Sequence, residues 1–131
     1  MAERAIYPDT VKNNSELIEP ADTTTAQTLV TAGTNGSRVH AITCASNESV
    51  ANVVRLIHNN GSNDRIIGRI SIPAGSGYSA AIVSLLNSTD LPWLGDDLCI
   101  YLQGTHILKV AAETTVETSD QLEFVAFYGD Y

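Results

Sequence analysis

Gln27-Thr28-Leu29-Val30-Thr31, then Gly33-Thr34-Asn35-Gly36-Ser37, then Arg38-Val39-His40-Ala41-Ile42-Thr43-Cys44-Ala45 is the stretch that decides the fold. Two short apolar runs flank a turn cluster, and Asn-Gly suits the positive φ of a hairpin turn. In the second run, His40, Ile42 and Cys44 take one face of a strand and Val39, Ala41 and Thr43 the other. The pattern continues outward. Val50–His58 is rich in β-branched residues and is followed by a second turn, Asn59-Asn60-Gly61-Ser62. Asp64–Pro73 sets Ile66, Ile70 and Ile72 on one face around Gly68. After Ala74-Gly75-Ser76-Gly77, the segment Tyr78–Leu86 is apolar nearly throughout. Periodicity alone does not separate a buried strand from a short helix there; the preceding glycine turn and Ile82-Val83 favour strand. Leu98–Gln103, His106–Ala112 and Gln121–Tyr128 read as three further strands, with Gly104-Thr105 as a hairpin-like connection.

Eight turn-bounded strands in residues 27–131 predict an all-β antiparallel sandwich. Jelly roll is preferred over an immunoglobulin-like order because of the strand count. No βαβ alternation exists, which excludes a parallel α/β fold. Residues 1–26 differ: they carry Pro8, Pro20 and five acids, with sparse apolar residues and no sustained period. They read as an extended N-terminal arm outside the sandwich, docking at intervals through Ile6, Tyr7, Leu17 and Ile18 on a neighbouring subunit or another surface. Such an arm reaches up to ~85 Å when fully extended. A disordered tail is the competing reading.

The chain has 131 residues, 44% apolar and 17% charged, a composition that forms a core unaided by disulfides or metal. Its formal net charge of −8, with seven scattered basic residues and no two adjacent, argues against direct nucleic-acid binding and against attraction to an anionic membrane. No apolar run reaches the length of a membrane span. Met1–Pro8 lacks a long apolar stretch behind a basic cap, so no signal peptide is expected. Cys44 and Cys99 lie in apolar segments, as small buried hydrophobes do, and whether they pair is not readable from sequence.

Chemistry-bearing patterns are weak. His40, His58 and His106 lie on separate strands, and His40 stands ~13 Å from Cys44 at the usual rise per residue. Asp90, Asp96 and Asp97 share one loop without the spacing of an EF-hand. No nucleophile elbow, P-loop or dinucleotide fingerprint occurs. The expectation is a non-enzymatic protein with no catalytic, metal or cofactor residues. Trp93 with Tyr78 or Tyr101 is a candidate sugar-stacking set, but Leu91-Pro92-Trp93-Leu94 reads first as a buried plug or a subunit contact. In Phe124-Val125-Ala126-Phe127-Tyr128, Phe124 and Tyr128 take one face and Phe127 the other, so the second face must meet either another part of the chain or a partner. Ile6, Tyr7, Leu17, Ile18, Trp93, Phe127 and Tyr128 are therefore the candidate subunit or partner contacts.

Short motifs carry a family resemblance. They are Leu29-Val30-Thr31-Ala32-Gly33-Thr34-Asn35-Gly36-Ser37-Arg38, Val53-Val54-Arg55-Leu56, Ile70-Ser71-Ile72-Pro73-Ala74-Gly75-Ser76-Gly77, Leu91-Pro92-Trp93-Leu94, Tyr101-Leu102, Leu108-Lys109-Val110 and Gly129-Asp130-Tyr131. Over residues 28–131 the chain resembles small tailed-bacteriophage virion proteins similar to capsid cement, or decoration, proteins. The resemblance implies a β-sandwich on the virion exterior, made in the host cytoplasm. It would bind the major capsid protein as a homo-oligomer (dimer or trimer) and reinforce the shell. The alternatives are another virion structural role, at the tail or head–tail junction, and a carbohydrate-binding adsorption module.

Overall fold

A computed structural model describes residues 8–131. Nine strands follow in chain order: β1 Thr10–Ile18, β2 Gln27–Thr31, β3 Ser37–Ser46, β4 Asn52–Asn59, β5 Asp64–Ile72, β6 Val83–Ser84, β7 Ile100–Leu102, β8 Ile107–Ala112 and β9 Leu122–Asp130. They form two antiparallel sheets. Sheet A has the order β1-β9-β3-β6, with β7 also paired to β3; sheet B has the order β2-β8-β4-β5. The β4–β5 connection is a hairpin within sheet B, and β6 and β7 both lie in sheet A. Every other connection passes from one sheet to the other.

The inner faces enclose one core. Sheet A contributes Ile18, Val39, Ile42, Cys44, Leu122, Phe124 and Ala126. Sheet B contributes Leu29, Val30, Val54, Leu56, Ile70, Ile72, Leu108 and Val110. Alternation along β9 is strict: Leu122, Phe124, Ala126 and Tyr128 are buried, while Glu123, Val125 and Phe127 face outward. Cys44 and Cys99 are buried and form no disulfide. Burial pushes the Cys44 thiol up to about 12, which makes it a poor nucleophile at neutral pH.

The structure corrects the division at residue 26. Thr10–Ile18 pairs with β9 over nine residues, so these residues belong to the sandwich. Ile18 is fully buried in the core and is not a partner contact. The strand escapes a period-2 reading because it lies at the sheet border. Its core-side residues Lys12 and Asn14 meet polar partners instead of core: Lys12 bonds Asp130 at 2.6 Å, and Asn14 Nδ2 donates to the Leu29 carbonyl at 2.7 Å. Ile6 and Tyr7 lie outside the described residues.

Two turns also differ from expectation. Asn59–Asp64 closes the β4–β5 hairpin as expected, with Gly61 at φ +99°. Asn35-Gly36, however, joins β2 in sheet B to β3 in sheet A, and Gly104-Thr105 joins β7 in sheet A to β8 in sheet B. Both are corners between sheets and not hairpins. Of Tyr78–Leu86 only Val83–Ser84 forms a strand. Leu85 and Leu86 are buried there, while Tyr78 and Ile82 are exposed.

Trp93 is not the plug. It is 51% exposed, whereas Leu91 is fully buried. A β-carbon on Gly68 would lie 2.0 Å from the Leu91 side chain, so glycine at 68 makes room for Leu91 over β5. Trp93 Nε1 donates to the Ile67 carbonyl at 2.8 Å from outside. Trp93→Ala should therefore cost only about 1–2 kcal/mol, a partial burial plus one hydrogen bond. Leu91→Ala should cost more, about 2–5 kcal/mol, because it leaves a cavity. Urea unfolding of the two variants checks this order; a larger loss at Trp93 contradicts it.

Candidate functional site

The two outer faces of the sandwich differ in charge. On sheet B, Arg55 and Arg69 stand opposite each other across β4 and β5 and share Glu113, at 3.6 and 2.8 Å. Lys109 bonds Asp64 at 3.1 Å on the same sheet. Arg69 also holds both carboxylate oxygens of Glu113. These charges are internally paired, and Val53, Ile57, Ile66 and Ile107 share the outward rows with them, Ile66 being 58% exposed.

The outer face of sheet A carries fewer charges. Pairing places Val11 beside Gly129, Asn13 beside Phe127, Ser15 beside Val125 and Leu17 beside Glu123. Across β9, Arg38 stands by Gly129, Ala41 by Phe127, Thr43 by Val125 and Ala45 by Glu123. Directly opposed residues share a face, so these rows form one outward surface. Tyr101 extends it at the Arg38 end. At the far end Tyr78 hydrogen-bonds Glu123. The two central rows read Asn13–Phe127–Ala41 and Ser15–Val125–Thr43, so Phe127 and Val125 are flanked by small or uncharged polar residues. Val11 is 82%, Leu17 41% and Phe127 36% exposed. In the strand rows the charges stand at the two ends, Arg38 and Glu123.

At the end of β1 this face meets an acidic rim. An open depression there is lined by Leu17, Val125, Glu16, Glu19, Asp22 and Glu123. The candidate contacts thus divide. Leu17 and Phe127 share the outer face of sheet A; Trp93 lies against β5 of sheet B; Ile18 and Tyr128 are buried inside the chain. Burial of Tyr128 follows from its inward position on β9, where it packs with the core. The sugar-stacking set is not assembled. Tyr78 and Tyr101 bracket the length of β9 between Glu123 and Gly129, roughly 20 Å at the usual rise.

A polar tie holds this sheet together below the face. Asp130 accepts from Ser37 Oγ and pairs with Lys12, joining β9 to β3 and β1. Gly33 N–H donates to Ser37 Oγ at 3.1 Å. The hydrogen bonds from Lys12 and then Ser37 hold the Asp130 carboxyl below its ordinary value. A depressed folded pKa means the unfolded chain takes up the proton first. The stabilisation is therefore present above the ordinary carboxylate range and is lost as pH falls through the folded value. Asp130→Asn should lower the urea midpoint at neutral pH and should flatten its decline below about pH 4. An unchanged acid slope contradicts this.

One pair was not legible in sequence. His58 Nε2 and His106 Nδ1 lie 3.0 Å apart with ring centroids at 5.0 Å, one ring donating and the other accepting. Only the β4–β8 register, His58 opposite Leu108, brings them together. Among the described residues no group of three or more metal-ligating side chains converges. No helix of the described residues is long and apolar enough to cross a membrane. Set against protein-family models and curated proteins, the chain matches none.

Proposed function

We propose that this chain is a bacteriophage capsid cement protein, a non-enzymatic decoration that docks on the outer surface of the major capsid shell and reinforces it. The observation that carries the reading is the outer face of sheet A, an uncharged centre in which Val125 and Phe127 face away from the core among Ala41, Thr43, Asn13 and Ser15. An outward face carrying an exposed aromatic and aliphatic side chains supports a contact; sheet B also exposes an apolar residue, Ile66, but beside the paired Arg55, Arg69 and Glu113. The acidic rim and the net charge of −8 select an apolar partner surface edged with basic side chains. The strand order supports a jelly roll: β1-β9-β3-β7 packed on β2-β8-β4-β5 is the sequence of neighbours that two interlocked Greek keys produce. The resemblance of the short motifs to those of small virion proteins is the other ground for the reading.

Quantitative mass spectrometry of purified phage particles tests the role. Copies in the same range as the major capsid protein support a shell decoration. A number near one ring, about a dozen or fewer, assigns the chain to the tail or head–tail junction. Absence from particles overturns the reading, and glycan binding by the purified chain would then favour an adsorption module.

A further inference from the structure

The four sheet borders are not alike. In sheet B, β5 carries a bulge at Ile67, and Trp93 Nε1 occupies the carbonyl of that residue. On the other border, β2 carries a bulge between Thr28 and Val30, and Asn14 Nδ2 occupies the Leu29 carbonyl. Sheet A ends on one side in β6 and β7, of two and three residues. Bulges, short strands, coverage and inward-pointing charges are the devices by which sheets block edge-to-edge pairing; of these β1 carries only the charges, Lys12 and Glu16 on its core side. On the other side, β1 runs nine residues in regular register with β9, without bulge or proline. Among the described residues nothing pairs with its outer edge.

The sequence of β1, Thr10-Val11-Lys12-Asn13-Asn14-Ser15-Glu16-Leu17-Ile18, is complementary to itself. A two-fold axis through Asn14 sets two copies antiparallel, with Val11 opposite Leu17, Lys12 opposite Glu16 and Asn13 opposite Ser15, each pair occurring twice. Directly opposed side chains on paired strands lie about 4.5–5.5 Å apart at Cβ, within reach of an ion pair. Val11 and Leu17 stand exposed on the outer face of sheet A, and Lys12 and Glu16 on the core side. Within the chain Glu16 forms no ion pair with a described residue.

We propose that the chain forms a two-fold homodimer by antiparallel pairing of β1 with β1 of a second copy, in the register that matches Lys12 to Glu16. The contact is isologous and closes at two copies. It joins both A sheets into one continuous sheet. Because the axis is perpendicular to the sheet, both outer faces lie on the same side. Val11 of one copy and Leu17 of the other fill the seam between the Phe127 residues. The capsid-facing surface of the previous section is doubled in area, but the pairing itself does not depend on that role.

The purified full-length chain tests this. Light scattering over a micromolar concentration series should give a mass of twice 14.0 kDa. Glu16→Lys sets like charges opposite one another twice and should raise the dimer dissociation constant about tenfold or more. Lys12→Glu should do the same, and mixing the two variants should restore a dimer, since each mismatched strand complements the other. Lys12→Glu also removes the Asp130 partner, so a second readout fixes the register independently. Asn14→Cys should form an intermolecular disulfide on mild oxidation, and adding Glu16→Lys should suppress it; the buried native cysteines should not cross-link. A monomer at all concentrations, a trimer, or a dimer indifferent to Glu16→Lys overturns the proposal. So does a chain that dimerises only after residues 1–7 are removed, which would give this edge to the chain's own N-terminus.

Discussion

A chain beginning at Glu19 should lose its cooperative unfolding transition. The truncation removes β1, which covers one edge of β9 over nine residues. It deletes Ile18, a fully buried core side chain whose loss alone costs about 2–5 kcal/mol. It also removes Lys12 from Asp130 and Asn14 from the Leu29 carbonyl. Small domains hold only about 5–15 kcal/mol in total, so these losses together exhaust most of the margin. The bared edge of β9, with Phe124 behind it, would then template aggregation. Thermal melting followed by circular dichroism checks this. Full-length protein should melt in one sharp step, and the truncated chain should melt broadly or precipitate. A truncated chain that melts sharply at the full-length temperature would show β1 to be an appendage.

That result separates what the sequence reveals locally from what only the assembled sandwich determines. Alternation along β9 and the β4–β5 hairpin were readable because each depends on neighbours within one segment. Phe127 could be placed outward, opposite Phe124 and Tyr128, for the same reason. Turn chemistry at Asn35-Gly36 announced a chain reversal but not which sheet the next strand would join. Strand β1 is hidden because a border strand sends only one residue, Ile18, into the core, while Lys12 and Asn14 on the same side meet polar partners. Trp93 misled by size: the smaller Leu91 fits beneath the loop because Gly68 yields space, while the indole seals a bulge from outside. The candidate site was half legible. Phe127 and Leu17 were identified singly, yet the face they share requires the β1–β9 register, and the His58–His106 contact requires that of β4 and β8.

The other large effect concerns that face. Phe127 stands near its centre, between Asn13 on β1 and Ala41 on β3. An aspartate there removes the aromatic anchor and sets a charge in a dry contact, losses that typically reach 2–4 kcal/mol at an interface centre, or roughly 30- to 1000-fold in affinity. The isolated domain loses less, about 1–2 kcal/mol, since the ring is partly exposed and outside the core. Ile66→Asp is the matched control, an exposed apolar residue on β5 of the other sheet.

Co-sedimentation of the purified protein with shells of the major capsid protein that the proposed role requires measures this most directly. The wild type and Ile66→Asp should pellet with shells to the same saturation, and Phe127→Asp should remain in the supernatant while still melting cooperatively. Full binding by Phe127→Asp with loss in Ile66→Asp would move the contact to sheet B. No binding by the wild-type protein would contradict the decoration role itself.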